Sequence, residues 1–123
     1  MKLAVIGTGY VGLVSGACFS EFGFDVTCID KDADKIDRIK SGNMPIYEPG
    51  LEQLVARNVE AGRLHFTTET ATAVADADAV FIAVGTPTRR GDGHADLPYV
   101  YDAARELAAH ISGYTVVVTK STV

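Results

Sequence analysis

The chain has 123 residues, which is enough for one domain with a hydrophobic core and too few for two. It carries 11 Lys and Arg against 16 Asp and Glu, a formal net charge of −5, and this negative balance argues against a nucleic-acid-binding module. With 47% hydrophobic and 22% charged residues, the composition excludes a disordered chain.

Two further features bear on the cellular compartment. Cys18 and Cys28 are too few for a disulfide framework and lie in apolar segments, which favours buried free thiols in a reducing cytosol. The run from Leu3 to Ser20 holds no charged residue, but Gly7 and Gly9 interrupt it and its length barely suffices for a bilayer. No signal-peptide pattern accompanies it. We therefore expect a soluble, cytoplasmic protein with no membrane partner.

The first predicted elements are a strand, a helix, a strand and a helix. Lys2–Ile6 is a short apolar run, typical of a parallel strand buried on both faces. The next helix is predicted to end at Gly23 and to bury an apolar stripe at helical spacing, namely Val11, Val14, Cys18 and Phe22. A strand at Val26–Ile29 then leads to Asp30, and Asp32 is predicted to be the N-cap of a helix that stops at Gly42.

The rest of the chain continues this alternation. In order, the predicted elements are a helix opened by Glu48-Pro49, a strand at Leu64–Thr67, a short helix over Thr68–Ala75, a strand at Ala79–Val84, a long loop from Gly85 to Asp96, a helix capped by Asp96, and a strand at Tyr114–Thr119. The buried stripe predicted for the last helix consists of Val100, Ala103, Ala104, Leu107 and Ile111.

This alternation predicts an α/β fold, a Rossmann-like doubly wound parallel sheet with right-handed crossovers and helices on both faces. A strand order of 3-2-1-4-5 would bring the turns after the first and fourth strands together. The sequence stops just past a buried-type strand without a covering helix. We therefore expect a sheet truncated after its fifth or sixth strand, and a chain that is a piece of a longer protein.

The segment Gly7-Thr8-Gly9-Tyr10-Val11-Gly12 fits the pattern G-x-G-x-x-G and lies between a predicted strand and helix. Gly7 permits the tight turn, Gly9 lets a pyrophosphate approach bare backbone, and Gly12 lets the helix pack closely. The helix N-terminus offers N–H groups and partial positive charge to the phosphates. The motif in this setting predicts a dinucleotide site.

Asp30 stands at the end of the second strand, near the offset of about twenty residues at which such sites carry an acidic residue. Its carboxylate can accept hydrogen bonds from the adenosine ribose hydroxyls and would repel a 2′-phosphate, so we predict NAD rather than NADP as the cofactor. Lys31, Lys35 and Arg38 complicate this prediction, because basic side chains can hold a phosphate. From the residues alone, Lys35 is equally well interpreted as a cofactor contact or a solvated helix charge.

The other half of the crevice is predicted to come from the tips of the fourth and fifth strands. Gly85 and Thr86 follow the fourth strand, and Ser121 and Thr122 follow the fifth. Thr86 could offer its hydroxyl near the nicotinamide half of the cofactor, although a turn or cap hydroxyl is an equally good interpretation of each position. The three histidines show no metal-ligand spacing and no acid–base pair is evident, so we predict neither a metal site nor catalytic residues.

Four segments in order make the chain resemble the N-terminal domain of the UDP-glucose/GDP-mannose dehydrogenase family. They are Ala4-Val5-Ile6-Gly7-Thr8-Gly9-Tyr10-Val11-Gly12, Pro45-Ile46-Tyr47-Glu48-Pro49-Gly50-Leu51, Val84-Gly85-Thr86-Pro87 and Lys120-Ser121-Thr122-Val123. The resemblance covers essentially the whole chain, and this combination is far more specific than a bare glycine pattern.

The resemblance implies a NAD-binding Rossmann domain over residues 1–123, without the family's central helix and C-terminal substrate domain. The contacts that it implies are the backbone of Tyr10 and Val11 at the pyrophosphate, Asp30 and Lys35 at the adenosine ribose, and Thr86 and Thr122 at the nicotinamide. It also implies a homo-oligomeric full-length enzyme that oxidises UDP-glucose to UDP-glucuronate with two NAD+. The family's nucleophilic cysteine lies downstream and matches neither Cys18 nor Cys28, so we expect this chain to bind cofactor without turnover.

Three alternatives remain open. A GDP-mannose 6-dehydrogenase belongs to the same family, although Ile46-Tyr47-Glu48 is more similar to the UDP-glucose branch. A hydroxyacid or hydroxyacyl-CoA dehydrogenase domain shares the glycine turn but is not expected to carry Glu-Pro-Gly-Leu. A non-catalytic NAD-sensing module is complete at about this length, but the long Gly-Thr-Pro loop and the lack of a covering helix argue against it. A reading frame that continues past Val123 would favour the enzyme.

Overall fold

The computed structural model describes residues 1–84, 98–110 and 115–119. The secondary-structure elements of these residues are, in chain order, β1 (Lys2–Ile6), α1 (Tyr10–Glu21), β2 (Asp25–Ile29), α2 (Ala33–Lys40), α3 (Leu51–Glu60), β3 (Leu64–Thr67), α4 (Thr70–Ala75), β4 (Ala79–Ile82), α5 (Pro98–His110) and β5 (Val116–Thr119). Strands and helices follow one another in the predicted order, including the two consecutive helices α2 and α3.

The described strands form one parallel sheet in the order β3-β2-β1-β4-β5, which confirms the predicted order. The central strand β1 pairs along its whole length with β2, and its residues Leu3–Ile6 pair with β4. The carboxyl ends of β1, β2 and β4 therefore lie side by side. In an open α/β sheet this is the edge at which ligands bind.

Helices cover both faces of the sheet, as alternation along β1 shows. Leu3 and Val5 lie in a core cluster with residues of α1, α2 and α3, whereas Ala4 and Ile6 lie in a second cluster with residues of α4 and α5. Successive side chains of a strand point to opposite faces, so the two clusters are the two sides of one sheet. The predicted doubly wound α/β architecture is confirmed.

The predicted buried stripe of α1 is wrong. Val11 and Phe22 are exposed, Val14 and Cys18 are only partly buried, and the buried residues are Gly12, Leu13, Gly16, Ala17 and Ser20. Almost every position of this helix is apolar or small, so hydrophobic spacing alone could not choose a face. The buried face is instead the one that lets the helix backbone come nearest to the sheet, because that face holds two glycines and an alanine.

Several predicted boundaries also shift. The third helix begins at Leu51 rather than at Glu48-Pro49, because Gly50 takes a left-handed conformation (φ 82°) at its N-cap. The strands β4 and β5 are shorter than predicted. In α5, Ala103 and Leu107 are buried as predicted, but Ala104 is exposed. The predicted cap Asp96 and the stripe residue Ile111 lie outside the described residues, as does the side chain of Val100.

Both cysteines are free thiols, but only Cys28 is buried as predicted, whereas Cys18 is partly buried. Cys28 is fully buried on β2, and burial raises its pKa to about 12, so its thiol stays protonated and inert at neutral pH. Within the described ranges, no helix is both long enough and apolar enough to cross a membrane.

The contact between Gly16 of α1 and Cys28 of β2 sets how closely the helix lies on the sheet. A Cβ atom built on Gly16 would stand 2.5 Å from the Cys28 Sγ, which is closer than packed atoms can approach. We predict that Gly16→Ala lowers the free energy of unfolding by about 1–3 kcal/mol through overpacking, measured by urea denaturation. Ser15→Ala, one residue earlier and only partly buried, is the matched control and should stay near wild type. Equal stability of the two variants would contradict the prediction.

Candidate functional site

A cleft of about 540 Å3 opens at the carboxyl ends of β1, β2 and β4. Its walls are the turn after β1, the end of β2, the start of α2, and one side of α5. The lining residues that carry polar or charged side chains are Thr8, Asp30, Lys31, Asp32, Lys35, Thr70, Asp102 and Glu106. The cleft therefore brings the predicted glycine turn and the predicted acidic residue together.

The turn after β1 is held by backbone contacts that only glycine permits. Gly7 has φ 107°, a left-handed conformation, and its N–H donates to the carbonyl oxygen of Ile29 at 2.7 Å. A Cβ on Gly7 would lie 2.6 Å from the Ala83 carbonyl oxygen, and a Cβ on Gly12 would overlap the Gly7 carbonyl oxygen. The close packing predicted for Gly12 is thus present, and its partner is the turn itself.

Gly9 differs from the other two glycines of the motif, since a Cβ there would meet no atom of the described residues within 4 Å. Gly9 is the N-cap of α1 in an extended conformation, and no side chain in the part of the chain that the structure describes caps the helix. The first N–H groups of α1, including those of Tyr10 and Val11, have no acceptor inside the helix and carry its positive end. A pyrophosphate fits this bare stretch of backbone, which supplies donors without a side chain in the way.

Asp30 follows β2 and faces the same cleft, with only 18% of its side chain exposed. Its Oδ2 accepts hydrogen bonds from the Thr8 backbone N–H at 3.1 Å and from the Thr8 hydroxyl at 2.6 Å. Its Oδ1 accepts from the Asp32 N–H at 3.0 Å, and the Lys35 Nζ lies 3.5 Å from Oδ2. The carboxylate is therefore fixed in one orientation beside the glycine turn.

These contacts determine the ionisation of Asp30. Burial on its own raises the pKa of the carboxyl, but the hydrogen bonds from Thr8 and Asp32 together with the charge of Lys35 outweigh it and leave the pKa below its ordinary value. Asp30 is thus a carboxylate throughout the neutral range. It can accept hydrogen bonds from hydroxyl groups and repels a phosphate at the same place.

The lysines that complicated the cofactor prediction are both paired with carboxylates. Lys31 Nζ lies 3.3 Å from the Glu106 Oε2, and Lys35 contacts Asp30 as described. Arg38 is exposed on α2 and does not line the cleft. Among the described residues, neither lysine of the cleft is left as an uncompensated positive charge for a 2′-phosphate.

The structure also joins two of the segments that carry the family resemblance. The Tyr10 hydroxyl, in the glycine motif, donates to the Glu48 Oε2 at 3.0 Å, in the Tyr-Glu-Pro-Gly segment. This hydrogen bond raises the pKa of Tyr10, and the negative charge of Glu48 adds to the effect. Segments 38 residues apart in sequence thus meet at the start of α1.

Three predicted cofactor residues, Gly85, Thr86 and Thr122, lie outside the described residues. Sequence reasoning missed Thr8 as a partner of Asp30 and missed the α5 side chains Asp102 and Glu106, which line the cleft. The Thr8 signal was present in the motif as a hydroxyl between two glycines. Within the described ranges, no cluster of three or more His, Cys, Asp or Glu side chains is arranged to hold a metal ion.

A parallel sheet whose central strand ends in a glycine turn, followed by a helix N-terminus and flanked by a carboxylate on the next strand, defines a Rossmann-type dinucleotide-binding domain. A model of the NAD binding domain of the UDP-glucose/GDP-mannose dehydrogenase family matches residues 1–123. The chain therefore belongs to the UDP-glucose/GDP-mannose dehydrogenase family, corresponds to its NAD binding domain, and has NAD as its cofactor.

Individual relatives agree with this assignment. The chain is 68% identical to the UDP-glucose 6-dehydrogenase of Rhizobium meliloti (strain 1021), over all of this chain and 28% of that protein. It is 56% identical to the UDP-glucose 6-dehydrogenase YwqF of Bacillus subtilis (strain 168), with the same coverage. It thus spans little more than a quarter of the length of these relatives.

Solved structures give the same fold. The crystal structure of a ternary complex of GDP-mannose dehydrogenase from Pseudomonas aeruginosa matches with a TM-score of 0.93 at 41% identity, over all of this chain and 29% of that one. A UDP-glucose dehydrogenase from Pyrobaculum islandicum matches with a TM-score of 0.92 at 44% identity, over 99% of this chain and 29% of that one.

Gly9 and Gly12 allow the binding and folding roles of the motif to be separated. Gly9→Ala should leave the free energy of unfolding within about 1 kcal/mol of wild type, since the new Cβ meets no atom of the described residues and the backbone angles suit alanine. It should weaken NAD binding at least about tenfold (about 1.4 kcal/mol), because that Cβ stands where the pyrophosphate approaches. Gly12→Ala should instead lose stability. Isothermal titration and urea denaturation check both, and unchanged NAD affinity of Gly9→Ala would remove the turn from the site.

The lowered pKa of Asp30 predicts that the stability of the fold falls in acid. Because its pKa is lowered in the fold, the unfolded chain binds this proton more readily, so the stabilisation is present above about pH 4 and is lost as the pH falls through the folded-state pKa. Asp30→Asn should therefore make stability less dependent on pH in the acid range. Thermal unfolding of both proteins between about pH 7 and pH 3 measures this. Equal slopes for the two proteins would contradict the ionic contacts described for Asp30.

Proposed function

We propose that this chain is the cofactor-binding part of a UDP-glucose 6-dehydrogenase, the enzyme that oxidises UDP-glucose to UDP-glucuronate with two NAD+. The names of the relatives at 68% and 56% identity support UDP-glucose as the substrate. GDP-mannose is the second candidate, favoured by the GDP-mannose dehydrogenase at 41% identity. On this proposal the domain comprises residues 1–123, and the rest of the protein supplies a central helix and a substrate domain.

The single observation that carries the cofactor assignment is the cleft in which bare backbone and a fixed carboxylate lie side by side. We assign the pyrophosphate to the backbone of Gly9, Tyr10 and Val11, where no Cβ of Gly9 obstructs it. We assign the adenosine ribose to Asp30, with Lys35 beside it. The nicotinamide half then extends toward the end of β4, where Gly85 and Thr86 follow in sequence, with Thr122 as a further proposed contact.

The charges of the cleft support NAD over NADP. Asp30 is ionised and partly desolvated, so a 2′-phosphate on the ribose would meet a negative charge at short range. The lysines that could compensate are paired, Lys31 with Glu106 and Lys35 with Asp30. To gain either lysine of the cleft as a partner, a phosphate would have to break one of these pairs.

The described residues supply binding and orientation and not the chemistry of oxidation. Cys28 is buried with a raised pKa, and Cys18 is partly buried within α1, so neither suits attack on a sugar. We propose that the nucleophile and the acid–base groups come from the remainder of the enzyme. That enzyme would act in the cytoplasm as a homo-oligomer, without a nucleic-acid or membrane partner.

The test is a calorimetric titration with NAD, NADP and UDP-glucose. NAD should bind, and NADP should bind at least about tenfold more weakly because of the charge on Asp30. Asp30→Ala should weaken NAD binding by about 1–3 kcal/mol, the scale of lost hydrogen bonds to a charged group. The control Asp34→Ala, an exposed carboxylate on α2 that does not line the cleft, should bind NAD as wild type does.

Mixing this chain with NAD and UDP-glucose should produce no NADH. The absorbance of NADH measures this. A lack of NAD binding would overturn the cofactor assignment. Formation of NADH would overturn the proposal that the nucleophile and the acid–base groups come from the remainder of the enzyme. For the longer protein, oxidation of GDP-mannose in preference to UDP-glucose would decide for the second candidate.

A further inference from the structure

The side chain of Thr8 stands between the glycine turn and Asp30. It is fully buried, although it lies in a cleft wall and occupies a position that the glycine motif leaves unspecified. Its hydroxyl makes the shortest contact of the Asp30 carboxylate, 2.6 Å to Oδ2, and its N–H adds a second hydrogen bond to the same oxygen. A buried hydroxyl that points at a functional carboxylate does more than fill space.

The contacts of Asp30 leave a specific part of the carboxylate available. A carboxylate offers about four acceptor positions on its two oxygens. Thr8 takes two of them on Oδ2, where the Lys35 Nζ also approaches, and the Asp32 N–H takes one on Oδ1. Among the contacts of the described residues, the acceptor position that remains is on Oδ1. A ribose would therefore find one direct hydrogen bond ready, at a fixed place.

We propose that Thr8 is a positioning residue for cofactor recognition: its hydroxyl holds the Asp30 carboxylate in the orientation that presents Oδ1 to a ribose hydroxyl of the bound dinucleotide. This inference rests on the proposed function, because it deepens the role assigned there to Asp30. Thr8 does not touch the cofactor in this account. It acts through Asp30, by removing the rotational freedom that the carboxylate would otherwise lose on binding.

The groups around Asp30 explain why the hydroxyl is needed. Lys31, Asp32 and Lys35 adjoin it from its own segment and α2, and Asp102 and Glu106 face the cleft from α5. Without the Thr8 hydroxyl, the side-chain partner left to Asp30 among these contacts is Lys35, a flexible cation at 3.5 Å. A lysine on a long stem holds a carboxylate in place less rigidly than a buried hydroxyl does.

Two substitutions isolate the hydroxyl. Thr8→Val keeps the shape and the backbone N–H but removes the donor, and Thr8→Ser keeps the donor. We expect Thr8→Val to raise the Kd for NAD about three- to tenfold at neutral pH, the scale of one lost hydrogen bond. We also expect the NAD affinity of Thr8→Val to fall, as the medium is acidified, at a higher pH than the affinity of wild type does. Thr8→Ser should restore both properties to within about twofold. Thr27→Val, at a partly buried position on β2 outside the cleft, is the control for a threonine-to-valine exchange.

A second readout does not depend on the cofactor. Carboxyl-carbon NMR titration of Asp30 should show a raised pKa in Thr8→Val and a return toward the wild-type value in Thr8→Ser. Equal NAD affinity and equal Asp30 titration in wild type and Thr8→Val would overturn the proposal, as would tighter NAD binding by Thr8→Val. If wild type itself does not bind NAD, the proposed function fails, and the NMR titration still decides whether Thr8 holds Asp30.

Discussion

The arrangement of this cleft depends on the close approach of the turn after β1 to the first turn of α1. The Gly7 carbonyl oxygen lies where a side chain on Gly12 would have to stand, and the Ala83 carbonyl oxygen lies where a side chain on Gly7 would. These two contacts bring the end of β1, the end of β4 and the helix start into one corner. Because the corner is made of backbone, no side chain of the described residues stands in front of its donors at Gly9. An anion site follows from packing rather than from any charged side chain.

This corner carries two opposite electrostatic features a short distance apart. The N-terminus of α1 is partially positive, whereas Asp30 at the end of β2 is a carboxylate held ionised by Thr8, Asp32 and Lys35. A ligand that suits both must carry its anionic charge in one part and hydroxyl groups in the other. A dinucleotide has that order, with pyrophosphate next to ribose. A phosphate at the ribose end would instead meet the carboxylate, and this makes the choice between NAD and NADP a matter of position rather than of total charge.

The sequence predicted the features that depend on local backbone conformation and periodicity. It did not predict the features that are set by contacts with residues far along the chain. The strand order, the glycine turn and the Asp32 cap were accessible because each has a local signature, and the Asp32 side chain does accept from the Lys35 N–H at 3.2 Å. The buried face of α1 was not, since nearly all of its positions are apolar or small and the sheet beneath selects among them. The pairing of Thr8 with Asp30 was not predictable either, because a hydrogen bond between residues 22 positions apart produces no periodic pattern in the sequence.

The long-range hydrogen bonds of the cleft explain why the resemblance was informative where single motifs were weak. Tyr10 binds Glu48 across 38 residues, and Thr8 binds Asp30 across 22, so each residue needs a specific chemical partner far along the chain. A glycine pattern alone needs only a tight turn, which many folds use. Segments that must occur together because their side chains meet restrict the sequence more strongly. The same two hydrogen bonds tie the start of α1 and the Asp30 carboxylate to the cleft in which we propose that the dinucleotide binds.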